Sequence, residues 1–239
     1  MIVLPIAAAL IALAFSVQLF ARSGRRGTWY EAVWGLAMLM FAVATGALVL
    51  GVLDQWSSAE FRAYWLFGAV LTAPYLAMGE LYLLIRRRWM AHVLLILLLG
   101  ATAWAAATVR TAPMSEALSQ DFPLGREVFG DGSAAHRLSQ YYAYPGYLIL
   151  VGGAVWSALQ MRGRAELRDR FLGVLLIALG ATVVFIGSGV GAGFGLYAVF
   201  SLGHAAGIAL MYWGFLMASR RRPAPVPVTA PEGTGGRGP

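Results

Sequence analysis

The stretch Tyr75–Trp89, YLAMGELYLLIRRRW, decides the fold. An apolar run ends there on Arg86, Arg87 and Arg88, the pattern of a helix leaving a bilayer on its basic side. One carboxylate, Glu80, stands inside the run. The same pattern recurs along the chain, in seven apolar stretches of about 18 to 24 residues near 2–20, 31–53, 63–85, 89–109, 140–161, 171–190 and 195–218. Each is long enough to cross a hydrocarbon core of roughly 30 Å at 1.5 Å per residue. The runs are continuously apolar rather than alternating, which selects helices over a barrel. The expected fold is therefore all-α, a polytopic membrane protein built as a seven-transmembrane-helix bundle over 1–222. A Pro/Gly-rich tail over 223–239 is expected to be disordered and cytoplasmic.

Composition agrees. Hydrophobic residues make up 59% of the chain and charged residues 12%, far below the roughly one-quarter charge of a soluble domain. The first stretch has no basic flank before it and is longer than a signal-peptide core, so it is read as a retained first span. The chain has no cysteine, which excludes disulfides, thiolate catalysis and cysteine-held metals. All 18 basic residues are arginine. Without lysine no retinal Schiff base can form, so no cofactor is expected and a rhodopsin-type photoreceptor is excluded on chemistry.

Arginine placement sets the expected orientation. The segments after spans 1, 3, 5 and 7 carry Arg22, Arg25 and Arg26; Arg86, Arg87 and Arg88; Arg162, Arg164, Arg168 and Arg170; and Arg220, Arg221 and Arg222. The opposite segments carry only Arg62, Arg110, Arg126 and Arg137. The positive-inside rule puts the N-terminus outside and the C-terminus in the cytoplasm of a bacterial inner membrane. The net charge of +7 is then a topology signal and an attraction to anionic lipid; nucleic acid is not an expected partner. Aromatic residues near both boundaries, among them Trp29, Trp89, Trp156 and Trp213 on one side and Trp56, Tyr64, Trp65, Trp104 and Tyr144 on the other, read as interfacial belts. The loop over 110–139 is too long for a plain connector and is expected to hold a short helix near Met114 to Ser119 and to lid the outer face.

Glu80 lies on a face of span 3 shared with Ala69, Ala73, Leu76, Ala77 and Leu84, whereas Phe67, Leu71, Tyr75, Met78 and Tyr82 form the opposite, bulkier face. Small residues suit helix contact and bulky ones suit lipid, so Glu80 is expected to point inward, below a kink at Pro74. It stands roughly 9 Å above the inner arginine layer by helix rise. A packed glutamate tied to Arg87 or to a tyrosine and a carboxylate that handles a substrate, ion or proton are the two readings. His204, in SLGHAAG, stands about 24 Å above that layer, so the two differ by roughly 15 Å in depth and form no dyad. Tyr212, at about 12 Å, is the better-placed partner for Glu80. Gly203, Gly207 and Gly214 mark a close helix contact beside His204, which is either a packed interhelical histidine or a ligand-contacting, proton-responsive one. Candidate ligand-binding or proton-responsive residues are thus Glu80, His204, Tyr212, Tyr75 and Arg87.

GSGVGAGFG, 187–195, has neither the spacing nor the preceding strand of a phosphate loop and reads as the turn between two helices. Ser188 and His204 differ in depth and lack an orienting acid, which speaks against an intramembrane hydrolase, and three scattered histidines make no metal site.

The stretch from Arg25 to Leu84, RRGTWYEAVWGLAMLMFAVATGALVLGVLDQWSSAEFRAYWLFGAVLTAPYLAMGELYLL, resembles the seven-transmembrane N-terminal sensor module of bacterial histidine kinases. Together with PLGREVFG and ALGATVVFIGSGVGAG it looks like a family of seven-span membrane proteins of GC-rich bacteria, a likeness that covers nearly the whole chain and brings no activity with it. The resulting expectation is a non-enzymatic, sensor-like or small- or lipid-ligand-binding module, acting with a separate cytoplasmic signalling partner or a second copy of itself. Its cavity is expected to open outward beneath the long loop, lined from spans 3, 5, 6 and 7. The alternative is a small secondary transporter with a three-plus-one-plus-three repeat that uses Glu80 and Tyr212 near an inner gate.

Overall fold

A computed structural model describes residues 2–120 and 122–219, and among these the chain is all-α without a strand. The expected tail and the cluster Arg220 to Arg222 lie outside the described residues. The long helices are α1 (Val3–Arg26), α2 (Trp29–Asp54), α3 (Ser58–Leu84) and α4 (Arg88–Thr111). After a 3₁₀ turn at Glu116–Ser119 come a short α5 (Gly125–Phe129) and α6 (Ala134–Met161), then α7 (Arg168–Gly193) and α8 (Tyr197–Ala218).

Six of these helices, α1 to α4, α7 and α8, are long and apolar enough to cross a membrane. α6 matches the fifth expected span and, at 28 residues, exceeds the needed length. It is not among the six. Tyr141, Tyr142, Tyr144 and Tyr147, with Pro145 and Gly146, dilute the apolar character of its first half.

Six helices close a ring in which α1 packs on α2, α2 on α3, α3 on α6, α6 on α7, α7 on α8 and α8 back on α1. α4 stands outside it, against α3 and α6, with 11% of its apolar stretch buried, compared with 50% for α2 and α3. Its placement overturns one expectation. The bulky side of α3 does not face lipid: Leu71, Tyr75 and Met78 are buried, and the Tyr75 hydroxyl lies 3.1 Å from that of Thr102 on α4. Tyr82 likewise bonds His92 Nδ1 at 2.8 Å. Arg62, at the start of α3, donates to the Val109 carbonyl and, at 2.9 Å, to that of Ala112, tying the far end of α4 to the ring.

α3 begins with a capping box, in which Ser57 and Glu60 each satisfy the other's backbone N–H. Pro74 does not simply kink it. Residues Tyr64–Leu71 wind as a π-helix, and the Thr72 N–H reaches back five residues to the Phe67 carbonyl. Because proline lacks an N–H and crowds the preceding turn, the chain widens just ahead of it. The Thr72 hydroxyl also donates to the Phe67 carbonyl, at 2.6 Å.

The tightest contact is between α7 and α8. A Cβ on Gly173 would lie 2.5 Å from the Gly214 carbonyl oxygen, one on Gly180 2.5 Å from that of Gly207, and one on Gly187 2.8 Å from Gly203 Cα. In lipid such surfaces associate by close packing rather than by a hydrophobic drive, and small residues are what let backbones approach. The expected small-residue face of α8 is therefore its α7 contact.

Candidate functional site

Between the ring helices lies a cavity of about 470 Å³, within the roughly 300–1,000 Å³ typical of small-molecule sites. Helices α2, α3, α6, α7 and α8 line it. α2 was not expected there, and contributes Phe41 and Thr45 among others. The mouth lies at the end of the bundle that carries the long loop, where Arg126, Asp131, His136 and Gln140 line the entrance. Between α6 and α7 it is also open sideways: Tyr144, Gly189 and Gly193 line the cavity and are exposed, and a Cβ on either glycine would meet nothing within 4 Å.

The segment PLGREVFG is built into this mouth. Gly125 lies flat against the Trp65 ring, where a Cβ would approach to 2.0 Å, and Trp65 Nε1 donates to the Ala135 carbonyl at 2.9 Å. Phe61, Trp65, Phe129 and His136 form one aromatic cluster. Trp56, Tyr64 and Trp65, expected in an interfacial belt, are instead buried in or beside this cluster. Arg126 donates to the Gly193 carbonyl at 3.0 Å, bridging the loop to α7. His136, outside the expected span, has Nε2 3.6 Å from Asp131 Oδ1 and a buried Nδ1 without a partner among the described residues. Burial pushes this imidazole below its ordinary value; Asp131 acts in the opposite sense, and Arg126 adds to the depression.

Deeper in, the walls are apolar and the polar groups are few. His204 is stacked on Phe200 at 4.0 Å between ring centroids and on Phe41 at 5.5 Å. Its Nδ1 is 2.9 Å from the Phe200 carbonyl. A carbonyl can only accept, so Nδ1 carries the proton and Nε2 of the neutral ring is an acceptor. The hydroxyls of Thr45, Thr72 and Ser188, which also line the cavity, donate to the carbonyls of Phe41, Phe67 and Val184 in their own helices. Tyr64 also lines the cavity and packs against Phe200.

The expected candidates do not form one site. His204 lines the cavity; Glu80, Tyr75, Tyr212 and Arg87 do not. The floor is an apolar plug of Met38, Leu76, Leu150 and Met211, around a gap of about 10 Å³. Glu80 lies one helical turn below Leu76, buried between α3 and α6, where a Cβ on Gly153 would meet its Cγ at 2.5 Å and Ser157 supplies a side-chain hydrogen bond. It points into protein, as its helical face predicts. Neither expected partner reaches it. Tyr212 faces α1, where Gln18 donates to its hydroxyl and Phe15 packs on its ring. α3 ends at Leu84, and Arg87 sits in the turn before α4 with its side chain in the open, so the helical register that would have stacked it under Glu80 is lost.

Glu31, not singled out in the sequence, is the other buried carboxylate among the described residues. Arg22 Nε and Arg26 Nη1 lie 3.5 and 3.6 Å from its Oε1, and the Thr28 hydroxyl donates to Oε2. Arg22 also donates to Ser219 Oγ at 2.6 Å and stands 4.7 Å over the Phe215 ring, so the cluster joins α1, α2 and α8. Its signal was present in the sequence: an acid in the first turn of a helix that follows an arginine cluster.

Among the described residues no group of three or more histidine, aspartate or glutamate side chains could hold a metal. Comparison with protein-family models, with curated proteins and with solved structures finds no match.

Proposed function

We propose that the protein is a non-enzymatic seven-span module of the bacterial inner membrane that binds a small, largely apolar ligand in the cavity between α2, α3, α6, α7 and α8. In this reading α6 also crosses the membrane, as the fifth of seven spans, the cavity mouth faces outward and the arginine-rich end faces the cytoplasm. A chain end in the cytoplasm would let a separate signalling partner or a second copy respond to occupancy. One observation carries the reading: a cavity of about 470 Å³ with largely apolar walls, lined by His204 and Tyr64, which both pack on Phe200. Catalysis is disfavoured because, among the described residues, His204 has neither a nucleophile within hydrogen-bond reach nor an orienting acid.

Mass spectrometry of small molecules retained by the protein after mild extraction tests the proposal. A defined apolar molecule should accompany the wild type and be lost from Ala143→Trp, which projects a ring into the cavity. Equal retention by both, or no retained molecule in either, would overturn it.

The carrier alternative draws support from one feature, the exclusion of α4 from the ring, which leaves three helices on either side of it in sequence. The burial of Glu80 beneath the Leu76 plug argues against the gate role assigned to it in that scheme. Substrate counterflow in proteoliposomes that is lost in Glu80→Gln would favour the carrier.

A further inference from the structure

The apolar lining of the cavity suits an apolar ligand, and its hydrogen-bonding groups narrow the choice. We infer that the cavity selects a neutral apolar molecule bearing a hydroxyl, which donates to His204 Nε2 and accepts from the Tyr64 hydroxyl. This rests on the binding role proposed above and names the chemistry of the ligand.

Most polar groups of the cavity wall are already committed: the Tyr147 hydroxyl is spent on Thr182 and that of Ser139 on the His136 carbonyl. Thr45, Thr72 and Ser188 have spent their protons on carbonyls of their own helices and offer only lone pairs. His204 has spent its Nδ1 proton on Phe200, and Nε2 has no partner among the described residues. That nitrogen is not sealed from open space, and His204 is a lining residue of the cavity. The Tyr64 hydroxyl has no hydrogen bond among the described residues and is likewise not sealed away. Tyr64 and His204 both line the cavity and both pack on Phe200, so one free O–H and one free acceptor belong to side chains gathered around the same ring. A hydroxyl answers both at once. A ketone or ether answers only Tyr64. A carboxylate at the depth of His204 would meet one donor, the Tyr64 hydroxyl, and no cation, since Arg126 lies at the mouth with a proton on the Gly193 carbonyl.

The test uses full-length protein in lipid nanodiscs and a decanol analogue with a diazirine at its far end, with labelled residues mapped by mass spectrometry. Labelling is expected at the floor, on Leu150 or Met211, because the hydroxyl is held above. Decanol should compete roughly fivefold better than its methyl ether, the effect of one neutral hydrogen bond. His204→Phe keeps the ring stack but cannot accept; it should keep the labelling and abolish the preference. Tyr64→Phe should weaken alcohol and ether alike. If the ether competes as well as the alcohol in the wild type, or the preference survives His204→Phe, the hydroxyl inference fails while ligand binding stands. If cavity residues are labelled no more than lipid-facing residues of α4, both fail. Should either variant not fold, the wild-type comparison of alcohol and ether still decides.

Discussion

Glu31 and Glu80 are both buried carboxylates, and the chain treats them oppositely. Glu31 is held by two guanidinium groups and a hydroxyl, whereas Glu80 has the Ser157 hydroxyl and no ion pair among the described residues. Removing the charge should separate them. Glu31→Gln leaves Arg22, itself largely buried, without its counter-charge, and breaking such a pair costs about 3 kcal/mol. Arg26 is 41% exposed and adds little to that figure. Glu80→Gln keeps shape and hydrogen bonding and should change stability by less than about 1 kcal/mol. Thermal unfolding of the two variants in the same detergent checks this; a larger loss from Glu80→Gln would reverse the assignment of the structural and dispensable charges.

At the scale of elements, the α7–α8 contact and the loop end of α6 make separate predictions. Gly180 has backbone on the far side of its missing Cβ, which cannot yield as a side chain can. Gly180→Leu should therefore destabilise at the upper end of the roughly 1–3 kcal/mol expected for overpacking, or prevent folding. Gly152→Leu, at a glycine with open space around it, should be tolerated. Monodispersity after extraction and the midpoint of thermal unfolding distinguish the two. The loop end should respond to acid. His136 is harder to protonate in the fold, so the folded chain binds fewer protons there than the unfolded chain once the pH drops below about 6.5. Its contribution to stability is whole above that pH and is lost as the pH falls from there through the lowered folded value. The protection factors of backbone amides in the 124–135 segment, which allow for the slower intrinsic exchange in acid, should fall from pH 7 to pH 5 in the wild type. In His136→Phe, which keeps the ring against Trp65, that fall should be absent.

For the molecule as a whole, the absence of cysteine makes topology directly readable. Gln120 lies in the long loop and Glu166 in the turn between α6 and α7, so the two are on opposite sides only if α6 crosses the bilayer. Gln120→Cys should react with an impermeant maleimide on intact cells, and Glu166→Cys only after permeabilisation. Labelling of both on intact cells would remove α6 as a span, and the reverse pattern would invert the orientation.

Helix lengths, the all-α class, the inward face of Glu80 and the glycine face of α8 were legible in the residues, because each depends on local periodicity or on the size of a single side chain. His204 was legible as a candidate for the same reason, as a polar group flanked by glycines on an apolar helix. The pairing of Glu80 with Tyr212 or Arg87 was not. Depth along a helix axis says nothing about rotation around it, and Tyr212 turns toward Gln18 on α1. The π-helical turns ahead of Pro74 were hidden as well, since the proline predicts a disturbance without specifying whether the chain bends or widens.

The sequence by itself determined that this chain builds long apolar helices separated by arginine-marked turns, because a backbone in lipid must satisfy its own hydrogen bonds and charge must stay near water. Only the tertiary structure decided that α4 stands outside the ring, that Tyr75 is buried beneath it, that Arg22 and Glu31 meet, and that Tyr64 and His204 share one cavity. The reason is that lipid tails are as apolar as leucine. Hydropathy therefore measures how long a helix is, but not which of its faces meets protein and which meets the bilayer.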